Sequence, residues 1–243
     1  MKTAIVTGAS RGIGLAIAEH LSTSGYNVFA TARSPMRNTR QLEYLCLDMR
    51  NEESHFEAVD HALERTGRLD LYVNNAGISE WRRISSVDLE FLDKIFSLNT
   101  YAYFFGCKAA ASVMKSGSCI INISSIAGRR GSANNSVYAA SKFAVTGLTQ
   151  SLAKELGPRG IRVNAVCPVL VSTPGLLYAL TQQDAPGMDN VEHFMARFIE
   201  TQSALGHLPE LIDVARMCSF LASENAKSIT GQSINVDCGV LPN

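Results

Sequence analysis

No window of this 243-residue sequence approaches the roughly 20 apolar residues of a membrane span. The first apolar run, Ala4-Ile5-Val6, is too short for the core of a secretion signal. Charge of one sign is not in excess: 22 Lys and Arg offset 22 Asp and Glu, which removes the basic footprint of a nucleic-acid or anionic-membrane binder. Metal-ligand spacing is missing. The five histidines do not cluster, and Cys46, Cys107, Cys119, Cys167, Cys218 and Cys238 include no Cys-x-x-Cys. Scattered in this way, the cysteines read as small buried hydrophobes in a reducing compartment. The expectation is a cytoplasmic chain with no metal, no nucleic-acid partner and no membrane partner. Linkers, repeats and low-complexity tracts are absent too, so one domain is expected. With 46% hydrophobic and 18% charged residues, the chain has ample material for a sizeable core.

What is there is an alternation of strand and helix patterns. Residues 2–7 form an apolar strand that stops at Gly8, and the turn Gly8-Ala9-Ser10-Arg11-Gly12-Ile13-Gly14 opens a helix marked by Leu15, Ile17, Ala18 and Leu21. A second strand follows at 27–32. A strand, Gly-rich turn, helix and strand in that order is the context of a dinucleotide site. Glycine lets backbone approach a pyrophosphate, and the helix N-terminus offers free amides and partial positive charge. An acid at the end of the second strand would bind the ribose 2′-hydroxyl of NAD; here stand Ala32-Arg33, with Arg11 in the turn and Arg37 and Arg40 nearby. Arginine favours a 2′-phosphate, so NADP(H) is expected over NAD(H), which stays possible.

Only about ten residues lead from Arg33 to the next strand at 45–48, room for a loop or one or two helical turns. A helix over 52–65, a strand at 69–73 and the small-residue turn Asn74-Asn75-Ala76-Gly77 come next, then a helix over 88–115 carrying Asn99, and a strand at 119–123 ending in Ser124-Ser125. The pattern predicts an α/β fold: a Rossmann-like, doubly wound parallel sheet in three layers. Within the helix that opens at Ser136, Tyr138 and Lys142 are four apart and share a face. An ammonium beside a phenol favours the phenolate, an acid/base device. Alone, the pair equally describes a snorkelling Lys beside a half-buried Tyr.

Taken together and in order, Thr7 to Gly14, Asp48, Asn74-Asn75-Ala76-Gly77, Asn99, Ser125 and Tyr138-x-x-x-Lys142 resemble the short-chain dehydrogenase/reductase family, in its compact one-domain branch. The resemblance reaches the tail Ile229 to Asp237. It implies Tyr138 as general acid/base, Ser125 (rather than Ser124) orienting the reacting oxygen, Lys142 holding the nicotinamide ribose and lowering the pKa of Tyr138, and Asn99 keeping a water in a proton relay. It also implies cofactor contacts at Gly8, Ser10, Arg11, Gly12, Ile13, Gly14, Arg33, Asp48, Met49, Asn75, Ala76, Gly77, Pro168, Val171 and Thr173, with Asp48 on the adenine. A small carbonyl or alcohol substrate and a homotetramer or homodimer are implied as well.

The sequence departs from that pattern at three places. Val169 follows Pro168 where the family usually has glycine, which would narrow the pocket; Cys238-Gly239 replaces Gly-Gly; and the segment after the second strand is short. Residues 174–207, rich in Leu, Met and Phe, read as a substrate lid, with Trp81, Arg82 and Arg83 as a possible rim suited to an anion. Three function classes follow: an NADP(H)-dependent oxidoreductase of a secondary alcohol and a carbonyl, a cofactor-binding scaffold without turnover, and a nucleotide-sugar epimerase or dehydratase. The complete Asn-Ser-Tyr-Lys set favours the first.

Overall fold

In a computed structural model, which describes residues 1–39 and 42–242, the alternating elements assemble into one seven-stranded parallel sheet. Its strands are β1 (Lys2–Val6), β2 (Tyr26–Ala32), β3 (Glu43–Cys46), β4 (Leu71–Asn74), β5 (Cys119–Ile123), β6 (Arg162–Pro168) and β7 (Ser233–Val236), in the order β3-β2-β1-β4-β5-β6-β7. The central strands read as near-continuous apolar runs because helices cover both faces; β4 and β5 are buried at every position. On one face α2 (Glu52–Thr66), α4 (Ala102–Val113) and α5 (Ser136–Leu156) close a core around Ile5, Tyr72, Ile120 and Val163. On the other, α1 (Gly12–Thr23) and α8 (Leu211–Ala222) close one around Val6, Val73, Ile121 and Cys218. The expected three layers are present.

The chain leaves β1 for β2 and β3, then returns to lay β4 on the opposite side of β1. This reversal opens a crevice beyond the carboxyl ends of β1 and β4, the place where open α/β sheets bind ligands. The connection into β3 carries no helix among its described residues, and Arg40 lies outside them. β3 begins two residues earlier than expected and ends at Cys46, so Asp48 sits beyond the strand.

The helix expected over 88–115 is broken into α3 (Leu89–Phe96), one π-helical turn at Ser97–Tyr101 and α4. The extra residue of a π turn shifts helical phase and commonly marks a functional position; here it places Asn99 in the interior, fully buried. A second buried amide pair joins the strands. Asn74 and Asn122 face each other in register on β4 and β5. Asn74 Nδ2 donates to Asn122 Oδ1 at 2.9 Å, and Asn122 Nδ2 donates to Thr149 Oγ1 of α5 at 3.0 Å.

Candidate active site

The two turns that flank the crevice hold each other by backbone and short side chains. Thr7 Oγ1 accepts from the amides of Asn75 and Ala76 at 2.9 and 3.0 Å, and Asn75 Nδ2 donates to the carbonyls of Thr7 and Gly8. Gly8 has φ +65°, and a Cβ on it would lie 2.8 Å from Ala76 Cα; a Cβ on Gly14 would lie 2.5 Å from the Gly8 carbonyl. Neither position has room for a side chain. The first turn of α1 therefore presents its free amides to the crevice, the arrangement a phosphate needs. The Cβ-free cradle, with α1 opening on it, fits a dinucleotide.

Tyr138 and Lys142 stand one turn apart on α5, facing the same crevice from the β5 side. Tyr138 is half-buried, and its burial pushes the phenol up to about 12, with the Ser125 hydroxyl pulling the other way. Ser125 Oγ accepts from the Ala127 amide at 3.1 Å, which orients it. Ser124 is turned inward, donating to the Lys142 carbonyl at 3.1 Å. Of the two serines, it is Ser125 that bears on the phenol.

Lys142 is buried, which lowers its ammonium to about 8, and its Nζ donates to the Ile123 carbonyl at 2.9 Å and lies 3.4 Å from Tyr103 Oη. It stands 5.9 Å from the Tyr138 ring centre. The expected lowering of the Tyr138 pKa by Lys142 is therefore not seen in this geometry: the ammonium is turned to a backbone carbonyl, and desolvation dominates both groups. Asn99 donates to the Ile78 carbonyl at 2.8 Å and to Ser141 Oγ at 3.2 Å, and accepts from the Ile78 amide. Gly77 passes between Asn99 and Lys142, where a Cβ would be 3.2 Å from Asn99 Oδ1 and 3.7 Å from Lys142 Nζ. The side chain of Asn99 thus fixes the strand tip against Lys142.

These groups open on one cavity of about 730 Å³. All the expected cofactor contacts lie on its wall except Asp48, whose carboxylate is bound by Arg50 instead and is held below the usual carboxylate range by that guanidinium. Arg11 and Arg33 line the wall, exposed and without an ion-pair partner among the described residues; Arg37 is exposed but off the wall.

The lid residues form α6 (Pro174–Leu180) and α7 (Val191–Gln202). α6 is seated by Thr173, which caps it by accepting from the Leu176 amide and meets Gly12 of the first turn. Trp81, expected at a rim, is 7% exposed and packs on Ala179, Leu180 and Ala185. Arg82 and Arg83 are not offered to an anion. Arg82 pairs with Glu80 and lies over the Phe91 ring, and Arg83 holds Asp184 through both its amide and its guanidinium. Val169 lines the cavity, packed beside Ile126 and Val240. Cys238, at the Gly-Gly departure, has φ +55° and its sulfur 3.5 Å from His207 Nδ1. Sequence reasoning missed Asn135, which lines the wall one turn before Tyr138; an Asn at a helix start reads as an ordinary cap.

A phosphate-cradling turn at a sheet reversal, with a hydroxyl pair and a buried lysine across the cavity, defines a dinucleotide-dependent oxidoreductase. The family model described as enoyl-(acyl carrier protein) reductase matches residues 8–241. L-2,3-butanediol dehydrogenase of Corynebacterium glutamicum is 36% identical over 100% of this chain and 99% of its own length. The solved aldohexose dehydrogenase of Thermoplasma acidophilum superposes with a TM-score of 0.90 at 32% identity, over 98% of this chain and 93% of that one. A blue fluorescent protein from a metagenomic library, in complex with NADPH, superposes at 0.86 and 32% identity, over 99% and 98%. The chain belongs to the short-chain dehydrogenase/reductase family of oxidoreductases.

Proposed function

We propose that the chain is an NADP(H)-dependent oxidoreductase that interconverts a secondary alcohol and a ketone, with Tyr138 as general acid/base. The observation that carries this is the placement of the Ser125 and Tyr138 hydroxyls on one end of the cavity whose other end is the Gly-rich cradle. The butanediol and aldohexose dehydrogenases among its relatives act in name on secondary-alcohol or sugar substrates, which supports the reaction class. A bound nicotinamide supplies or accepts the hydride, and the remaining work falls to the chain's own side chains. Ser125 donates to the substrate oxygen and orients it. Tyr138, protonated across the neutral range, gives its proton to that oxygen as negative charge builds on it, and takes the proton back in the reverse direction. Lys142 would hold the ribose hydroxyls and Asn99 would keep the relay.

The cofactor choice rests on Arg11 and Arg33, unpaired cations on the wall at the end of β2, with Asp48 neutralised by Arg50. That a structural relative carries NADPH agrees with it. Met49, Pro168, Val171 and Thr173 would complete the contact. Tyr101, Phe104 and Phe143, each about half exposed on the face around α4 and α5, favour a homodimer or homotetramer; a monomer by light scattering removes that part.

Fluorescence titration with NADPH and NADH tests the cofactor, and Tyr138→Phe tests the chemistry. NADPH is expected to bind at least about tenfold more tightly, and Tyr138→Phe to lower kcat by about 10²- to 10⁴-fold with NADPH affinity unchanged. A tenfold preference for NADH discards the arginine argument, and substantial turnover by Tyr138→Phe discards the acid/base role.

A further inference from the structure

We propose that Asn135 is a specificity-determining residue that hydrogen-bonds a second hydroxyl on the substrate, borne by the carbon next to the reacting one. The pocket would then take an α-hydroxy ketone and its 1,2-diol in preference to a simple ketone and its alcohol. The inference rests on the oxidoreductase reading above and names the substrate class of that same site.

Asn135 stands at the N-cap of α5, where an Asn side chain ordinarily accepts a hydrogen bond from an amide of the first turn. It does not do so: the side chain makes no capping bond. Its Nδ2 donates to Ser132 Oγ at 3.2 Å, while Oδ1 has no partner although the residue is only 5% exposed and lies on the cavity wall. Buried carbonyl oxygens of this kind are rare and costly unless a ligand or water completes them. Rotating the amide exchanges the two atoms and leaves a donor without a partner instead. A hydroxyl serves either orientation, since it both donates and accepts; a ketone oxygen cannot complete Oδ1.

The loop that presents Asn135 is held rather than loose. Asn134 takes φ +57°, its side chain donates to the Asp184 carbonyl at 3.1 Å, and its carbonyl accepts from the Arg82 amide at 2.6 Å. A strained residue fixed from two sides sets the direction of its neighbour. Asn135, Tyr138 and Lys142 then follow at intervals of three and four residues along one face of α5. Three residues advance about 4.5 Å along a helix, so with the reacting oxygen on Tyr138 it is the adjoining carbon that comes level with Asn135. Around that point Trp81, Leu170, Leu176, Phe194 and Phe198 supply apolar wall, and the nearby Glu80 is already paired with Lys94 and Arg82.

The test compares a matched pair, 3-hydroxy-2-butanone and 2-butanone, reduced by the full chain with NADPH, in the wild type, Asn135→Leu and Asn135→Asp. The wild type should favour the hydroxy ketone in kcat/KM by about tenfold. Asn135→Leu should erase that preference while leaving 2-butanone within twofold, and Asn135→Asp, which keeps an acceptor, should restore part of it. Equal rates on the pair in the wild type, or an equal loss on both in Asn135→Leu, overturn the proposal. So does a preference for a carboxylate in place of the hydroxyl that Arg130→Ala abolishes and Asn135→Leu spares. Turnover of 2-butanone reports the oxidoreductase reading separately. If neither ketone turns over, Trp81, the single tryptophan and a wall residue, gives a second readout. Quenching by 2,3-butanediol but not 2-butanol, weakened about tenfold in Asn135→Leu, still supports the assignment; quenching by both alike or by neither overturns it.

Discussion

The Gly-rich turn and the α6–α7 lid bound the same cavity and are made in opposite ways. Around Gly8 and Gly14 the contacts are backbone against backbone, locked by Thr7 and Asn75, with no space for one added carbon. Across the cavity the lid is made of side chains. α7 has no fully buried residue, nothing lies within 4 Å of where a Cβ would stand on Gly175, and the turn between the two helices is tied down chiefly by Asp184. A wall made of backbone suits a ligand whose shape never changes. A wall made of side chains on a few anchors can be rebuilt without disturbing the sheet, which is what a substrate side that differs from relative to relative requires.

The contrast can be broken most forcefully at Gly14. Gly14→Ala should lower NADPH affinity on the order of 100-fold, because the cradle must shift to admit the methyl group, whereas Gly175→Ala should leave it within twofold. Equal effects at the two positions, read by cofactor fluorescence, would erase the distinction. A smaller effect is expected at Lys142, behind the fixed wall. Its folded pKa of about 8 lies below the ordinary 10.5, so between those values the unfolded chain holds a proton that the folded chain has released. Folding stability contributed by this group is lowest below pH 8 and rises with pH, by up to about 3 kcal/mol at pH 10.5. Denaturant titrations of wild type and Lys142→Met at pH 7.5 and 10 isolate it; a parallel pH dependence in both would remove the assignment. The smallest effect is expected on the lid. Asp184→Ala releases Arg83 and should raise KM for the ketone about three- to tenfold with NADPH affinity unchanged. A matching loss of NADPH affinity would mean that the two walls are coupled.

The legible parts of this molecule were those in which residue type follows from backbone geometry. The Gly8-Gly12-Gly14 spacing, the apolar strands and the Tyr138–Lys142 interval each state a local shape, and the structure places them together on one cavity. What was not legible depended on which of several partners a side chain finds in three dimensions. Asp48 took Arg50 rather than the cavity, Arg82 and Arg83 turned to Glu80 and Asp184, and Lys142 turned to Ile123. The helix around Asn99 was readable as helix, but its π turn was not, since one extra residue leaves the apolar pattern almost intact. Asn135 was hidden by its own typicality, an Asn where helices usually begin.

The paired amides of Asn74 and Asn122 have a consequence for how the chain finds its alignment. Strands apolar on both faces, such as Leu71-Tyr72-Val73 and Cys119-Ile120-Ile121, tolerate slippage, since a shift exchanges one greasy neighbour for another. A slip of one residue would carry the two carboxamides about 3.3 Å apart and leave both dry and unmatched, along with Thr149. Only the native offset satisfies all three. The amide pair therefore acts as a vernier mark: it sets β4 against β5, and so fixes the height at which Asn75-Ala76-Gly77 stands relative to Ser124-Ser125 before any ligand arrives.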